Sequence, residues 1–372
     1  MKILFFARDP GGANVVLPVY MRMKERHNAC IYAKDYAFKR LLAEKVPVCN
    51  IEEECDTKVF EEVDAFLKAT APDAVITGTS LDDFTERYLW KASKGQGIKA
   101  YAIIDQWMNL GIRFSRYGYG QEELYHQQLK HEYLPHKILV MDEWAKKKLL
   151  MCGIQDGRII ITGQPYFDTV CQKFEGAQSK YDKSRWNVIF VSEPISWDYD
   201  SGKTSELYWG FNEKTIFACL RRNLRKFAES YNKNIRMIIR PHPRECSDNW
   251  EDTIAQVQDS KMEIVLDAKS STFALLKSAD LVCGMSSMFL LEAAICRKPI
   301  MSILIGLKRE NPFILNTLGI NKSIYTEEEL YGQLEECDLQ NKTHINFGFI
   351  ENASERVAEV VEREMINEKT GC

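Results

Sequence analysis

The sequence has no apolar run that approaches the length of a membrane-spanning helix. Near its start, residues 3–7 are apolar, but Arg8, Asp9 and Pro10 end the run at once. This stretch is too short for the apolar region of a signal peptide and predicts a first buried strand instead. The sequence therefore predicts neither a membrane span nor a secretory leader.

An excess of positive charge is also missing. The 372 residues carry a formal net charge of -4, and the basic residues are dispersed along the chain. A nucleic-acid-binding protein would show a basic patch, so no nucleic-acid partner is predicted. With 45% hydrophobic and 27% charged residues, the composition is typical of a soluble globular protein.

Metal-binding and disulfide patterns are absent as well. The 11 cysteines include no Cys-x-x-Cys pair and no zinc-finger spacing. Scattered thiols favour a reducing, cytoplasmic location over disulfides or a metal site. Asp198 and Asp200 have the spacing of an Asp-x-Asp metal motif, but they lie in a loop rich in aromatic residues. We therefore predict no metal and no cofactor.

The sequence does contain a regular alternation of short apolar strands and helical segments. This alternation predicts an α/β fold, in which helices cover both faces of a parallel sheet. A chain of this length is too long for one ordinary core and predicts two domains. The predicted parts are a first domain over 1–165, a linker over 166–185, a second domain over 186–352 and a C-terminal helix over 353–367 that packs back on the body.

The most informative stretch is a corner at the end of a buried strand in the second domain. Pro241 and Pro243 bracket His242 there, and each proline stiffens the backbone. Arg240 and Arg244 flank the imidazole. Two guanidiniums and a titratable imidazole at the carboxyl edge of a sheet suit a nucleotide phosphate. The alternative is a surface turn with a solvated histidine.

A second signal follows in the same domain. A strand leads to Gly284 and then to Ser286 and Ser287, which precede an apolar helix. Either hydroxyl, together with the free N–H groups at the helix start, could hold a phosphate. The alternative is an ordinary helix cap, but the pairing with a His-Pro corner upstream makes the phosphate site the more specific interpretation.

The His-Pro corner followed by the Ser-Ser pair resembles bacterial glycosyltransferases that use CMP-activated sugars, above all the sialyltransferases and polysialyltransferases. The CDP-glycerol glycerophosphotransferases carry a similar pattern. Residues 161–168 resemble the interdomain crossing of these proteins and of the UDP-N-acetylglucosamine 2-epimerases. The resemblance falls mainly at 161–168, 237–245 and 281–294. It implies two Rossmann-like domains that face each other across a cleft, the GT-B fold.

The resemblance implies an inverting glycosyltransferase that needs no metal. Such an enzyme would move an acidic sugar, sialic-acid-like or Kdo-like, from a CMP-sugar donor to a glycan or glycolipid acceptor in surface polysaccharide or glycoconjugate synthesis. His242 would contact the leaving phosphate and protonate it. A peripheral membrane contact stays open, although we find no strongly basic amphipathic helix. The donor-binding residues predicted in this way are Ser192, Glu193, Arg240, His242, Pro243, Ser286, Ser287 and Asn311.

An inverting transfer also needs a carboxylate that takes the proton of the acceptor hydroxyl. Three candidates follow the ends of predicted strands of the first domain: Asp105, Asp9 and the Asp82/Asp83 pair. An aspartate that merely caps a helix is the alternative at each position. The acceptor-binding residues that we predict are Gly11, Gly12, Asn14, Trp107 and Arg113.

The sequence departs from the resembling enzymes at the base, because it lacks their acidic-acidic-glycine triplet. The missing triplet motivates an alternative of another class, a nucleotide-sugar-binding protein without catalytic activity. The resemblance also leaves two other enzyme classes open, a CDP-glycerol-type glycerophosphotransferase and a UDP-N-acetylglucosamine 2-epimerase-like enzyme.

Overall fold

The chain folds into two units, and each is described by itself. The first unit comprises Met1–Thr169 together with Phe349–Cys372, and the second comprises Val170–Gly348. The computed structural model describes residues 1–198, 208–242, 244–246, 248–255, 261–340 and 349–370.

The first unit is built on a parallel sheet. Within the described residues its strands are β1 (Lys2–Ala7), β2 (Asn28–Ala33), β3 (Val48–Asn50), β4 (Ala74–Thr77), β5 (Lys99–Ile103), β6 (Lys137–Val140) and β7 (Ile159–Ile161). Their order across the sheet is β3-β2-β1-β4-β5-β6-β7. The chain winds outward in both directions from β1, so the loops after β1 and β4 meet at a topological switch point. Ligands of open α/β sheets bind at such points.

Helices connect the strands of the first unit. They are α1 (Pro10–Met23), α2 (Asp35–Ala43), α3 (Phe60–Thr70), α4 (Thr85–Gly95), α5 (Glu122–Gln128), α6 (Glu143–Met151) and α7 (Pro165–Glu175). The boundary between the units falls inside α7, after Thr169. The segment 166–185 that we predicted as a linker therefore contains most of a helix.

The C-terminal helix (Ala353–Thr370) belongs to the first unit. It packs on α1, and its Val357 and Val361 are fully buried in the core that β1 and α1 share. Asp168 fixes the start of this helix, because its carboxylate accepts hydrogen bonds from the N–H groups of Ala353 (3.2 Å) and Ser354 (2.9 Å) and from the Ser354 hydroxyl (2.7 Å). The aspartate in the crossing 161–168 thus acts as a helix cap.

The second unit repeats the architecture with fewer described strands. These are β8 (Trp186–Val191), β9 (Ile235–Arg240), β10 (Met262–Leu266), β11 (Leu281–Gly284) and β12 (Ile300–Ser302), all parallel, in the order β10-β9-β8-β11-β12. The switch point therefore lies between β8 and β11. The helices are α8 (Ile195–Asp198), α9 (Glu213–Ser230), α10 (Asp248–Ala255), α11 (Thr272–Ser278), α12 (Met288–Ile295), α13 (Ile314–Thr317) and α14 (Glu327–Gln340).

Two parallel sheets with connecting helices confirm the α/β fold with two Rossmann-like units. Near the start of the chain, residues 10–14 form the first turns of α1, so Gly11, Gly12 and Asn14 lie in a helix. The helix begins early because Asp9 caps it and Pro10 occupies its first position, where a missing N–H costs nothing. Over the described part of the chain, no helix combines the length and apolar character needed to cross a membrane.

Candidate active site

The loops after β1 and β4 touch at the switch point of the first unit. Asp9 caps α1, and its Oδ1 accepts the N–H of Gly12 at 2.6 Å. Gly12 packs against Gly78, the residue after β4, so closely that a Cβ on Gly78 would lie 2.7 Å from the Cα of Gly12. This approach requires glycine at position 78, whereas a Cβ on Gly12 would lie 3.6 Å from the Cα of Gly78, an ordinary contact. Gly12, which we predicted to bind an acceptor, has a packing role here.

Asp105 follows β5 and lies beside the start of α1. A Cβ on Gly11 would collide with Oδ2 of Asp105, so glycine at position 11 makes room for this carboxylate. Oδ1 of Asp105 accepts a hydrogen bond from Nη1 of Arg113 at 2.9 Å. Burial raises the pKa of Asp105, Arg113 opposes this shift, and the negative charge of Asp9 adds to it. Asp105 is therefore a buried carboxyl with another acid close by, the environment of many catalytic acids and bases.

Arg113 is an internal partner of this site. It is 2% exposed, and besides Asp105 it donates to the carbonyl and the hydroxyl of Thr79, the residue after Gly78. Our prediction that Arg113 contacts an acidic acceptor was wrong for a physical reason: the buried guanidinium already holds the Asp105 carboxylate in place. Its Nε is buried and has no hydrogen-bond partner among the described residues.

A third carboxyl group lies next to Asp9, and the sequence did not reveal it. Glu86, in the first turn of α4, is 1% exposed. The hydroxyl of Ser80 lies 2.9 Å from its Oε1 and 3.2 Å from Oδ2 of Asp9. Burial raises the pKa of Glu86 to about 8, and the charges of Asp9 and Asp83 add to the shift. A glutamate in a helix next to an arginine suggests a solvated surface, so no local pattern could have found it.

The Asp82/Asp83 pair has structural roles. Oδ1 of Asp82 accepts from Arg8 at 2.8 Å. Asp83 binds the buried Lys34 at 2.8 Å and accepts the N–H of Thr85 at the start of α4. Both carboxylates are thus paired with cations on the chain itself, and we no longer consider the pair a base.

Trp107 and Asn14 are not exposed to an acceptor in the way that we expected. Trp107 is 5% exposed, stacks on Phe167 with ring centres 6.2 Å apart, and donates from Nε1 to Asp142 at 2.6 Å. The indole is therefore part of the core, which does not fit our prediction that Trp107 binds an acceptor. Asn14 lies within α1, and its Oδ1 is buried without a hydrogen-bond partner in the described structure.

At the switch point of the second unit, the loops after β8 and β11 are joined by hydrogen bonds. Glu193, in the loop after β8, accepts the N–H of Ser286 at 2.7 Å and the Ser286 hydroxyl at 2.9 Å. Ser287 is the N-cap of α12, and its hydroxyl accepts the N–H of Phe289 at 3.2 Å. Burial raises the pKa of Glu193, while backbone and hydroxyl donors, those of Ser286 first, hold the carboxylate and oppose the shift. The Glu193 carboxylate thus occupies the position at which we expected a phosphate.

The His242 corner lies on the same carboxyl edge, after the neighbouring strand β9. The backbone N–H of His242 donates to Oε2 of Glu245 at 2.7 Å, and the ring Nδ1 of His242 accepts the backbone N–H of Arg244 at 3.1 Å. Because Nδ1 is an acceptor, the neutral ring carries its proton on Nε2, a hydrogen-bond donor. Burial, followed by the charge of Arg244, lowers the pKa of His242. The corner is held by Glu245, which also accepts from Ser192 (2.8 Å) and Trp250 (3.1 Å).

Three further residues that we predicted to bind the nucleotide-sugar donor have hydrogen bonds within the protein. Ser192 is fully buried, so its hydroxyl serves Glu245 and cannot reach a ligand. Asn311 organises its own loop through Ser323 and Tyr325, with its Nδ2 donating to both at 2.9 and 2.8 Å. Arg240 donates to the backbone oxygen of Asp267 at 3.0 Å.

Two predictions concern residues near the gaps in the described structure. Pro243 and Asp200 lie outside the described residues. Asp198 ends α8 and accepts two hydrogen bonds from Arg244, at 2.9 and 2.7 Å, so it serves as an anchor for the corner. In the described ranges no three His, Cys, Asp or Glu side chains are grouped as metal ligands would be. Chemistry without a metal stays a prediction.

The whole chain is similar to solved structures of nucleotide-sugar enzymes. The UDP-GlcNAc 2-epimerase of Methanocaldococcus jannaschii superposes with a TM-score of 0.66 at 18% identity, over 98% of this chain and 100% of that one. The epimerase of Neisseria meningitidis, solved with UDP-GlcNAc bound, gives 0.66 at 14% identity over 98% and 100%. This chain has their fold. MurG of Acinetobacter baumannii is also similar, with a TM-score of 0.59 at 11% identity over 97% and 99%.

These likenesses support a GT-B type of fold rather than one family within it. No protein-family model and no curated protein matches the sequence. Two of these three structures are UDP-GlcNAc 2-epimerases and none of the three is described as a CMP-sugar transferase. The prediction of a sialyltransferase therefore lacks support from the comparisons.

Proposed function

We propose that this protein is a nucleotide-sugar enzyme that acts on a UDP-activated amino sugar and inverts its C2 centre, in the manner of the UDP-GlcNAc 2-epimerases. The observation that carries the proposal is the group of three carboxyls at the switch point of the first unit: Asp9, Glu86 and Asp105. The whole-chain likeness to two epimerase structures adds to it.

Epimerisation requires more acid–base groups than glycosyl transfer does. Carbon 2 of the sugar is not next to a carbonyl, so as its proton leaves, the electron pair of the C–H bond must form a C1=C2 double bond while UDP leaves carbon 1. UDP then adds back to carbon 1 as a proton is delivered to the other face of carbon 2, so the enzyme must both accept and donate a proton. A transferase needs one base for the acceptor hydroxyl. Asp105 and Glu86 have raised pKa values, because burial disfavours their ionised forms. A set of acids in different environments suits a reaction that uses both protonation states.

We assign the principal acid–base role to Asp105. Its carboxylate sits at the end of β5, where Arg113 fixes one oxygen and Gly11 leaves space beside the other. Asp9, bound by the N–H of Gly12 and by Ser80, is the second group. The fixed orientation of both carboxyls reduces the reorganisation needed when a proton moves.

The second unit supplies groups for the nucleotide phosphate. His242 carries a proton on Nε2 when neutral, and a neutral imidazole N–H can donate to a phosphate oxygen. The start of α12 adds N–H donors, and Ser286 and Ser287 add hydroxyls. In this proposal a bound phosphate competes with Glu193 for the donors of Ser286.

The test is incubation with UDP-N-acetylglucosamine in heavy water. An epimerase yields the C2 epimer and incorporates solvent deuterium at carbon 2, which proton NMR detects as loss of the C2–H signal. Asp105→Asn serves as the matched control and should stop both changes. Unchanged substrate, with no deuterium after prolonged incubation, would count against the epimerase.

A transferase with a CMP donor is the second candidate, favoured by the His-Pro and Ser-Ser pattern itself. It predicts CMP release from a CMP-sugar that depends on a glycan acceptor and involves no exchange at carbon. Calorimetry with CMP, UMP, CDP and UDP separates the two candidates further. Preference for UDP supports the epimerase, and preference for CMP supports the transferase.

A further inference from the structure

Glu86 is a buried acid with an unusual set of partners. The side chain is 1% exposed, and its Oε1 lies 2.9 Å from the hydroxyl of Ser80. Its Oε2 is buried and has no hydrogen-bond partner in the described residues. An ionised carboxylate with a bare buried oxygen is costly, whereas the carbonyl oxygen of a neutral acid tolerates this situation far better.

The hydrogen-bonding capacity of Ser80 also indicates that Glu86 is protonated. A serine hydroxyl has one proton to donate and two lone pairs that accept. Ser80 lies within hydrogen-bonding distance of two acids, Glu86 at 2.9 Å and Asp9 at 3.2 Å. If both acids were ionised, only one contact could be a full hydrogen bond. If Glu86 is protonated, it donates to Ser80, and Ser80 donates to Asp9.

The surroundings decide which acid keeps the proton. Asp9 accepts the N–H of Gly12 with its other oxygen, whereas the second oxygen of Glu86 has no donor among the described residues. Glu86 faces the negative charges of Asp9, in the loop after β1, and of Asp83, in the loop after β4. Of the cations nearby, Lys34 binds Asp83. Arg87 donates to the carbonyl oxygens of Leu81 and Arg113, and none of its described hydrogen bonds reaches Glu86, although its charge interacts with that of Glu86 and its Nη1 is buried without a partner among the described residues.

We propose that Glu86 is a positioning residue, held as a neutral acid that donates to Ser80 and thereby directs the Ser80 hydroxyl onto Asp9. The chain Glu86–Ser80–Asp9 fixes Asp9 as an ionised acceptor at the switch point of the first unit. The protonation state of Glu86 rests on its burial, its contacts and the charges around it, whereas its effect on turnover rests on the proposed function.

The arrangement implies an alkaline limit. The pKa of Glu86 is raised to about 8, by burial first and then by Asp9 and Asp83. Above that pH Glu86 loses its proton and can only accept, so it competes for the Ser80 hydroxyl from the shorter distance. Asp9 then loses its donor and gains a negative neighbour. Turnover should therefore fall above about pH 8.

The first experiment measures the proton directly and needs no substrate. In an infrared pH titration, the full-length protein should show a carboxylic-acid carbonyl band that disappears near pH 8 and is absent from Glu86→Gln. If no such band persists above pH 6, Glu86 is ionised and the inference is overturned, whatever the enzyme turns over.

The second experiment separates positioning from mere packing. Glu86→Leu and Ser80→Ala should each lower kcat/KM about tenfold, because Asp9 loses its directed donor. Glu86→Gln should restore most of the activity, since its amide donates to Ser80, and should remove the fall above pH 8. Ser93→Ala is the matched control. It deletes a different buried hydroxyl, which lies in α4 and has no partner in the described residues.

The outcomes distinguish the inference about Glu86 from the proposed function. A titrating band with an alkaline limit that Glu86→Gln abolishes supports the inference. Full activity in folded Glu86→Leu overturns the positioning role. A titrating band in a protein that turns over no nucleotide sugar supports the protonated state of Glu86 and counts against the proposed function instead.

Discussion

The two units place carboxyl groups at the same point of their topology but treat them differently. In the second unit, Glu193 and Glu245 receive hydrogen bonds from backbone and side-chain donors on both oxygens. In the first, Glu86 has one oxygen with no partner in the described structure. Donors on both oxygens favour the ionised form of a carboxyl group, whereas a buried carboxyl with few donors more readily holds a proton. This contrast supports our proposal that acid–base chemistry belongs to the first unit and anion binding to the second.

The largest effect that this contrast predicts is on Asp105. Asp105→Asn keeps the shape of the side chain and removes its ability to accept a proton, so kcat/KM should fall by roughly 10²–10⁴-fold. The measurement is the rate of C2 deuterium exchange, with circular dichroism as the control for folding. A smaller loss than tenfold would transfer the principal role to Asp9.

Glu86→Gln should change how stability depends on pH. Burial first, and then the charges of Asp9 and Asp83, raise the pKa of Glu86 in the folded protein to about 8, from the ordinary glutamate value of 4.5. The folded state therefore binds the proton more tightly, and stability falls as pH rises from about 4.5 to about 8. Glutamine removes this loss, so the variant should gain on the order of a few kcal/mol relative to the parent above pH 8. Urea unfolding at pH 5 and pH 9 measures it; equal differences at both values would contradict the assignment.

Gly11→Ala tests the close contact beside Asp105. The added methyl group meets Oδ2 of Asp105, so the start of α1 or the carboxylate must move. We expect a loss of about 1–3 kcal/mol in the free energy of unfolding together with reduced turnover. Gly95→Ala, at the end of α4, is the control, because a Cβ there meets nothing within 4 Å. Equal behaviour of the two variants would remove Gly11 from the site.

Glu193→Ala has the smallest expected effect and tests the second unit. Without the carboxylate, the N–H and hydroxyl of Ser286 become free for a ligand phosphate. Affinity for UDP should rise about tenfold, which corresponds to ~1.4 kcal/mol. Calorimetry on the parent and the variant measures it, and Ser286→Ala should show the opposite trend. Weaker UDP binding by Glu193→Ala would assign Glu193 to the ligand instead.

The sequence predicted the strand ends that position each site better than it predicted the contacts of the side chains there. Strand ends could be located because buried strands are short apolar runs, and Asp105 and His242 follow two of them. The fate of each polar side chain depends on contacts between distant parts of the chain, and these leave no local pattern. Trp107 looked like an exposed aromatic because polar residues surround it, but Phe167 and Asp142 bury it.

The discontinuity of the first unit has a consequence for biosynthesis. Its sheet and α1 are translated before the second unit, but the helix Ala353–Thr370 that covers α1 is translated after it. While the second unit is being made, the nascent chain therefore exposes the apolar residues of α1 that this helix later covers. The hydrogen bonds from Ser354 to Asp168 can form only once the second unit has been translated. A fragment that ends before residue 349 should expose this surface and aggregate, whereas co-expression with a peptide of residues 349–372 should rescue it.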